Sequence, residues 1–568
     1  MNEPEIVVGH REQLLYLLTE AAEIEHGLMC CYLYAVFSLK RDDPGWSDEE
    51  RAAVGRWRQA LVAVARDEMT HLALVSNLMV SLGSAPHYLR SNFPVSAGYH
   101  PAGVVVALMP FDEATIDHFV FLERPEGVDL PDGAGFEPAH RYQRGNRVGR
   151  LVPNAQDYAT VGHLYRGIRR GIASLAEAQG EASLFVGDPR AQVGPELMPM
   201  SGLSAVTDLA SALRAIDTIV AQGEGTTSED ASSHYRRLVA VRDELRERRQ
   251  ANPSFAPAYP AARNPVMRRP LDPTGRVWIC AEPAAAVLDT GNATYSLLLR
   301  SLGALHQHID AGDELRSLAA DLALVTMRAM TMIGELLTTL PASDLDDVDR
   351  AGLTFTISRS IHSLPSAPGA LRVLAEEARL LARAHETHVA PLDARIGPLA
   401  ARLARLADDL TAASTLPARP RIALPVAPAP VVPPSPSPRI PCPCATARCA
   451  CGLRRTDRSP SGGTSRCAPA PDAPSSGAPR SRSAAAVVRR TNPSATAPTP
   501  ATASPPTATD GGFSGTAPGH PSVPSPGWPD QRRIFSRVIV SWEGPERPSI
   551  WRNTRPWAAL KQRRSRAP

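Results

Sequence analysis

The chain has 568 residues and a formal net charge of +3, which hides a split: 22 Lys and Arg face 6 Asp and Glu from residue 415 onward, against 39 and 52 before it. An acidic body gives no reason to expect specific nucleic-acid binding, and a basic tail attracts polyanions only through non-specific charge. Thirty of the 55 prolines fall in those last 154 residues, so only the body can bury a sizeable core.

In chain order, residues 11–40 read as a helix, because Leu14, Leu18, Ala21, Leu28, Tyr32 and Val36 recur at helical spacing. Residues 48–82 form a second, with Trp57, Leu61, Val64, Val75, Leu78 and Leu82 on one face. Residues 83–155 are rich in Pro and Gly and read as a long excursion, with a short helix near 113–121. A third long helix is expected over 158–178, and a fourth over 205–222 that resumes at 230–249 after a GEGTTS break. This order predicts an all-α fold, a four-helix bundle with one long crossover. After a Pro-rich connector at 251–273, helical patterns at 292–308, 313–340 and 368–388, the last extending towards 412, predict an additional helical layer over 274–412. The bundle itself is placed at 10–250. The apolar run 318–340 is broken by Asp321, Arg328 and Glu335, so no membrane span is expected.

Three body cysteines, Cys30, Cys31 and Cys280, are too few for a disulfide framework. Residues 1–10 have acids and no apolar run, so no signal peptide is expected and the placement is cytoplasmic. The segment 415–568 reads either as a disordered Pro/Ala/Ser/Arg tail or as the product of reading a GC-rich gene out of frame. Its Cys442-x-Cys444 and Cys449-x-Cys451 pairs lack a fold to hold a thiolate site.

Polar residues interrupt the apolar stripes where chemistry would need them. Glu25 sits seven residues after Leu18 and seven before Tyr32. A carboxylate facing inward is costly unless it is paired, protonated or bound to metal. Glu68 and His71 continue the second stripe as Glu-x-x-His, and residues three apart share a helix face. His163 lies beside the third stripe among the small residues Thr160, Gly167 and Gly171; Glu224 sits at the break; His234 starts the stripe Leu238, Val241 and Leu245. Four helices thus offer inward carboxylates or imidazoles, a donor set that suits iron, as a di-iron centre, or manganese. His26 and His118 are candidate partners behind the ligands. The competing reading is a buried hydrogen-bond network without metal. His306 and His385 read as solvated helix faces. Nothing indicates haem.

The segments AAEIEHGLMCCYLYAVFSL and ARDEMTHLALVSNLMVSLGSAP resemble the ferritin-like domain of the iminophenyl-pyruvate dimer synthase type, also found in chromopyrrolate synthases of bis-indole pathways. FPVSAGYHP, DHFVFLERPEG, TVGHLYRGI, LFVGDPRAQV, IVAQGEG with SHYRRL, and NATYSLLLRSL follow in order, so the resemblance covers about residues 10–395. It implies metal ligation by Glu25, Glu68 and His71, completed by Glu224 and His234 from the last helix; His163 stands where some relatives carry Glu. It also implies oxidative coupling of an amino-acid-derived imine, supplied by a partner amino-acid oxidase, in secondary metabolism. Such enzymes carry a large additional N-terminal region, whereas here the resemblance starts near Met1. The alternatives are a non-catalytic helical binding or scaffold protein and a metal-storage ferritin-like protein.

Overall fold

The first two helices begin where their caps allow and run as far as their apolar spacing lasts. In the computed structural model, α1 spans Arg11–Ser38 and α2 spans Asp48–Ser81. Ser47 caps α2: its hydroxyl accepts from the Glu50 amide while the Glu50 carboxylate accepts from the Ser47 amide, a reciprocal cap whose Ser side alone is worth about 1 kcal/mol. From Ala21 onward α1 is buried on nearly every side, as expected of a helix enclosed by neighbours all round. The short link 39–47 makes α1 and α2 packed neighbours.

The crossover carries α3, Glu113–Leu122, whose N-terminus is capped by Asp112. Then come α4, Val161–Gln179, the single-turn α5, Glu181–Leu184, and the broken fourth member, α6, Leu209–Gly223, followed by α7, His234–Ala251. α4 packs on α1 and α6; α6 and α7 both pack on α2, and α7 also packs on α3. The small residues of α4 serve the chain's own start. A Cβ on Gly167 would lie 2.7 Å from Ile6, and one on Gly171 2.7 Å from Val8, so the segment 5–8 lies against a face with no room for side chains.

The second layer is α8, Ala284–Leu305, α9, Asp313–Leu337, α10, Ala367–Ala384, and α11, Gly397–Ser414. α8 packs on α9, α10 on α11, and α9 also packs against α1, so the two layers share the central helix. α8 starts eight residues before its expected start. The expected extension of the 368–388 helix to 412 is corrected: α10 ends in a π turn at His385–Val389 and α11 begins only at Gly397. Pro391 cannot continue the hydrogen-bond ladder. Among the described residues the sheet content is one parallel pair, β1 Pro265–Val266 and β2 Val277–Trp278.

The structure describes residues 5–95, 99–100, 104–136, 158–223, 230–307, 313–344, 348–359 and 367–414. The chain divides into units Met1–Ser435 and Pro436–Pro568, and all described residues fall in the first; the expected tail lies outside them. α9 is long and apolar enough, by length and composition, to cross a membrane, yet 56% of that stretch is buried inside the fold, as in a core helix. His306 and His385 are not solvated. His306 is buried between the Tyr88 hydroxyl and the Ala191 carbonyl, and His385 is buried against the Thr294 hydroxyl. Each sits on the inward side of its helical turn, a placement that two residues at wide spacing cannot reveal.

Candidate metal centre

The interior between α1 and α2 holds charge that an apolar core would exclude. Glu25 comes from the middle of α1, and Glu68 and His71 from the second half of α2, one turn apart. Two further groups arrive at element ends: Glu123 is the C-cap of α3, and His234 is the first residue of α7, behind the Ser233 cap. All five are at most 5% exposed.

The ligand atoms fall into two groups that share one carboxylate. Glu25, Glu68 and His71 converge within 4.8 Å of one another, and so do Glu68, Glu123 and His234. His71 Nδ1 lies 3.3 Å from Glu25 Oε2 and 3.2 Å from Glu68 Oε2. His234 Nδ1 lies 3.0 Å from Glu68 Oε1 and 3.6 Å from Glu123 Oε2. Each oxygen of Glu68 therefore faces a different imidazole. The rings of His71 and His234 stack with centroids 5.5 Å apart.

The far nitrogens are anchored as imidazole ligands usually are. His71 Nε2 meets Gln222 Oε1 at 2.8 Å, from the last turn of α6. His234 Nε2 meets Asp67 Oδ2 at 3.3 Å, and Arg237 donates to the same oxygen at 2.9 Å. An acceptor at Nε2 holds the proton there and turns the Nδ1 lone pair inward. The outer carboxylates are held by phenols: Tyr165 of α4 donates to Glu25, and Tyr32 of α1 donates to Glu123.

Without a cation this arrangement is electrostatically strained. Burial, followed by the charge of Glu68, pushes Glu25 up to about 8. Burial disfavours a charged His71, but the Glu68 and Glu25 carboxylates outweigh it and push the imidazole up to about 10. His234 is likewise raised against burial by Glu68, Asp67 and Glu123. Glu68 Oε1 and His234 Nδ1 sit 3.0 Å apart without the alignment of a hydrogen bond. Three carboxylates and two imidazoles, with two buried atoms unsatisfied, fit cations: a positive charge would pair the carboxylates and displace the imidazole protons. The donors are oxygen and nitrogen, with no thiolate.

The sequence-derived residues are brought together in part. Glu25, Glu68, His71 and His234 converge. Glu224 lies outside the described residues. His163 is buried on α4 but faces Glu126, with its Nδ1 3.6 Å from that carboxylate and neither ring nitrogen hydrogen-bonded; Tyr165, two residues on, is the α4 side chain that reaches the cluster. His26 and His118 are not brought to the cluster. His26 points from α1 toward the second layer and meets the Tyr295 hydroxyl. His118 pairs with Asp132 at 2.6 Å and stacks on Phe136 at 3.7 Å. Glu123, Asp67, Gln222, Tyr32 and Tyr165 were not anticipated. Glu123 had a signal, since it follows Ile116 by seven and Phe119 by four on the inward face of α3.

The ferritin-like family profile matches residues 18–243, the segment that supplies every member of this cluster. A dichlorochromopyrrolate synthase from Lentzea aerocolonigenes is 27% identical over 420 residues, 67% of this chain and 39% of that protein. A 2-imino-3-(indol-3-yl)propanoate dimerase from Chromobacterium violaceum is 30% identical over 284 residues, 46% of this chain and 26% of that protein. The chain thus spans well under half the length of either relative. The crystal structure of a ferritin-like protein from Caulobacter vibrioides aligns with 61% of this chain and 99% of its own at 20% identity, with a TM-score of 0.37, too loose a match to carry an argument.

Proposed function

We propose, for a chain whose residues 18–243 match the ferritin-like family, a metal-dependent oxidative enzyme that oxidises or couples an amino-acid-derived imine in secondary metabolism. The observation that supports it most is the pair of three-residue groups sharing Glu68. Glu25, Glu68 and His71 would hold one ion, and Glu68, Glu123 and His234 a second, with Glu68 between them. The hard oxygen and nitrogen donors favour iron or manganese over a structural zinc. Such a pair, when bound, supplies a route for electrons from an organic substrate to dioxygen or peroxide.

The chain's own groups do the remaining work. Asp67 and Gln222 orient the two imidazoles. Tyr165 and Tyr32 keep protons at Glu25 and Glu123 and so damp their charge. The buried walls keep bulk water from the reacting atoms. An imine hydrolyses readily, so it would be supplied freshly made, by an oxidase acting on an amino acid. The free Cys30, Cys31 and Cys280 suit a reducing cytoplasm.

The test uses the purified full chain reconstituted anaerobically with ferrous iron. An amino-acid oxidase acting on tryptophan supplies the imine, and coupled products are read by mass spectrometry. Wild type should form them and Glu68→Ala should not. A chain that takes up no iron and yields only the products of the oxidase alone would contradict the proposal.

A further inference from the structure

The two halves of the cluster are not held alike. Glu25, Glu68 and His71 lie inside long helices, with helical turns on either side of each. Glu123 is instead the C-cap of α3, a helix of ten residues. A helix that short is marginal on its own, and its last turn frays unless groups outside it hold it. Glu123 nevertheless presents its carboxylate to His234 beside Glu68, so tertiary anchors must set where α3 ends.

At the start of α3, Asp112 accepts from the Thr115 amide at 2.7 Å, and Arg246 of α7 donates to Glu113 and Asp117. On its inner side Phe119 packs edge-on against Tyr32, with ring centroids 4.7 Å apart. The remaining anchor is the chain that follows Glu123. Arg124 donates to the Phe121 and Ala159 carbonyls, and the chain then doubles back onto α3. There Asp132 Oδ1 accepts from the Gly133 amide at 2.7 Å and lies 2.6 Å from His118 Nδ1. Phe136 stacks flat on the His118 ring at 3.7 Å and joins Ala107 and Met109 in a small apolar cluster apart from the main core. The approach is close: a Cβ on Gly133 would lie 2.1 Å from the Ala114 carbonyl oxygen and 2.9 Å from the His118 amide nitrogen. Both ends of the segment 124–131 are thus tied to the helix that carries Glu123. A short loop closed in this way has already lost the freedom that a loose end would keep.

We propose that His118, Asp132 and Gly133 form a latch that positions Glu123, and through it the ion position made by Glu68, Glu123 and His234. None of the three belongs to either ligand group; they are positioning residues that act through the end of α3. The other ion position, made by Glu25, Glu68 and His71, takes nothing from α3 and does not depend on the latch. The coupling is reciprocal: a latch that favours the ion at Glu123 is itself favoured by that ion. The inference rests on the two-ion centre proposed above, and says which of its two positions can be lost alone.

The experiment titrates ferrous iron anaerobically into the metal-free full chain, in competition with a chromophoric chelator. Wild type is compared with Asp132→Ala, Gly133→Val and Gly334→Leu, the last a control for general loss of stability at the contact of Gly334 with Phe37. In both latch variants one of the two iron affinities should fall about tenfold while the other holds within about twofold. Gly334→Leu should keep both. Amide hydrogen exchange reads the same coupling with the latch intact, so it stands even where a latch variant fails to fold. Iron should slow exchange at Gly133 and Phe136 in wild type and leave it unchanged in Glu123→Ala. Latch variants that lose both ions equally or neither, or exchange at Gly133 and Phe136 that does not respond to iron in wild type, overturn the proposal. A wild type that takes up no iron sinks the metal centre and the latch's role together; two ions bound without selective loss sink the latch alone.

Discussion

At the scale of the residue, the unusual feature is Glu25, a carboxyl that prefers its proton. Its folded pKa of about 8 lies above the ordinary 4.5, so between those values the folded chain holds a proton that the unfolded chain has lost. That contribution to stability therefore falls as pH rises from about 4.5 to about 8. His71, raised from 6.5 to about 10, runs the same way: its contribution is complete below about 6.5 and is lost as pH rises to about 10. The chelated chain should melt at a lower temperature at pH 8.5 than at pH 6, and Glu25→Gln should flatten the trend. Calorimetry that finds the metal-free melting point rising over that range contradicts this account of the site. Asp67→Ala removes the acceptor behind His234 and should weaken metal binding by about 10- to 100-fold with the fold intact, measured by competition with a chromophoric chelator. At this scale the sequence was half legible. Glu25, Glu68, His71 and His234 stand inside apolar stripes and could be read. Asp67 and Gln222 act through the imidazoles, and their positions look like ordinary exposed helix faces. His163 is not brought to the cluster, and the small residues near it, Gly167 and Gly171, accommodate Ile6 and Val8.

At the scale of the element, the site exists because helices end beside it. Had α6 run unbroken into α7, His234 would not start a helix whose positive N-terminal end faces Glu68 and Glu123. Glu123 closes α3 in the same region. Long helices were readable from periodicity, and α1, α2, α4 and α9 match their expected spans closely. Ends were less so: α8 starts at Ala284, eight residues before its expected start, and the break after α10 was missed although Pro391 marks it. Contacts between elements were less legible still. At the crossing of α1 and α9, a Cβ on Gly334 would lie 2.2 Å from the Phe37 ring. Gly334→Leu should therefore destabilise the fold by about 1–3 kcal/mol through overpacking, while folded protein keeps its metal. Urea unfolding with metal analysis of the folded fraction checks both halves, and an unchanged midpoint would contradict the close crossing.

At the scale of the whole molecule, the two helical layers share α1, so the central helix carries the site on one side and packs on the second layer with the other. Arg90 ties the layers: it donates to the Tyr295 hydroxyl at 3.1 Å and the Phe355 carbonyl at 2.7 Å. The second layer was expected as helical, but its attachment through Arg90, His26 and Tyr295 depends on residues far apart in sequence, and no local pattern marks it. The composition from residue 415 onward offers no apolar core. A chain ending at Ser435 should accordingly bind the same metal and melt at the same temperature as the full chain, and a lower melting point would show that the tail contributes to the fold.

The central claim is that Glu68 is shared by two ions. Elemental analysis of the reconstituted full chain, beside Glu68→Ala and Glu123→Ala, tests it most directly. The account predicts about two iron or manganese ions per wild-type chain, about one in Glu123→Ala and almost none in Glu68→Ala. A folded wild type without metal, or a Glu68→Ala chain that retains the full complement, would contradict it.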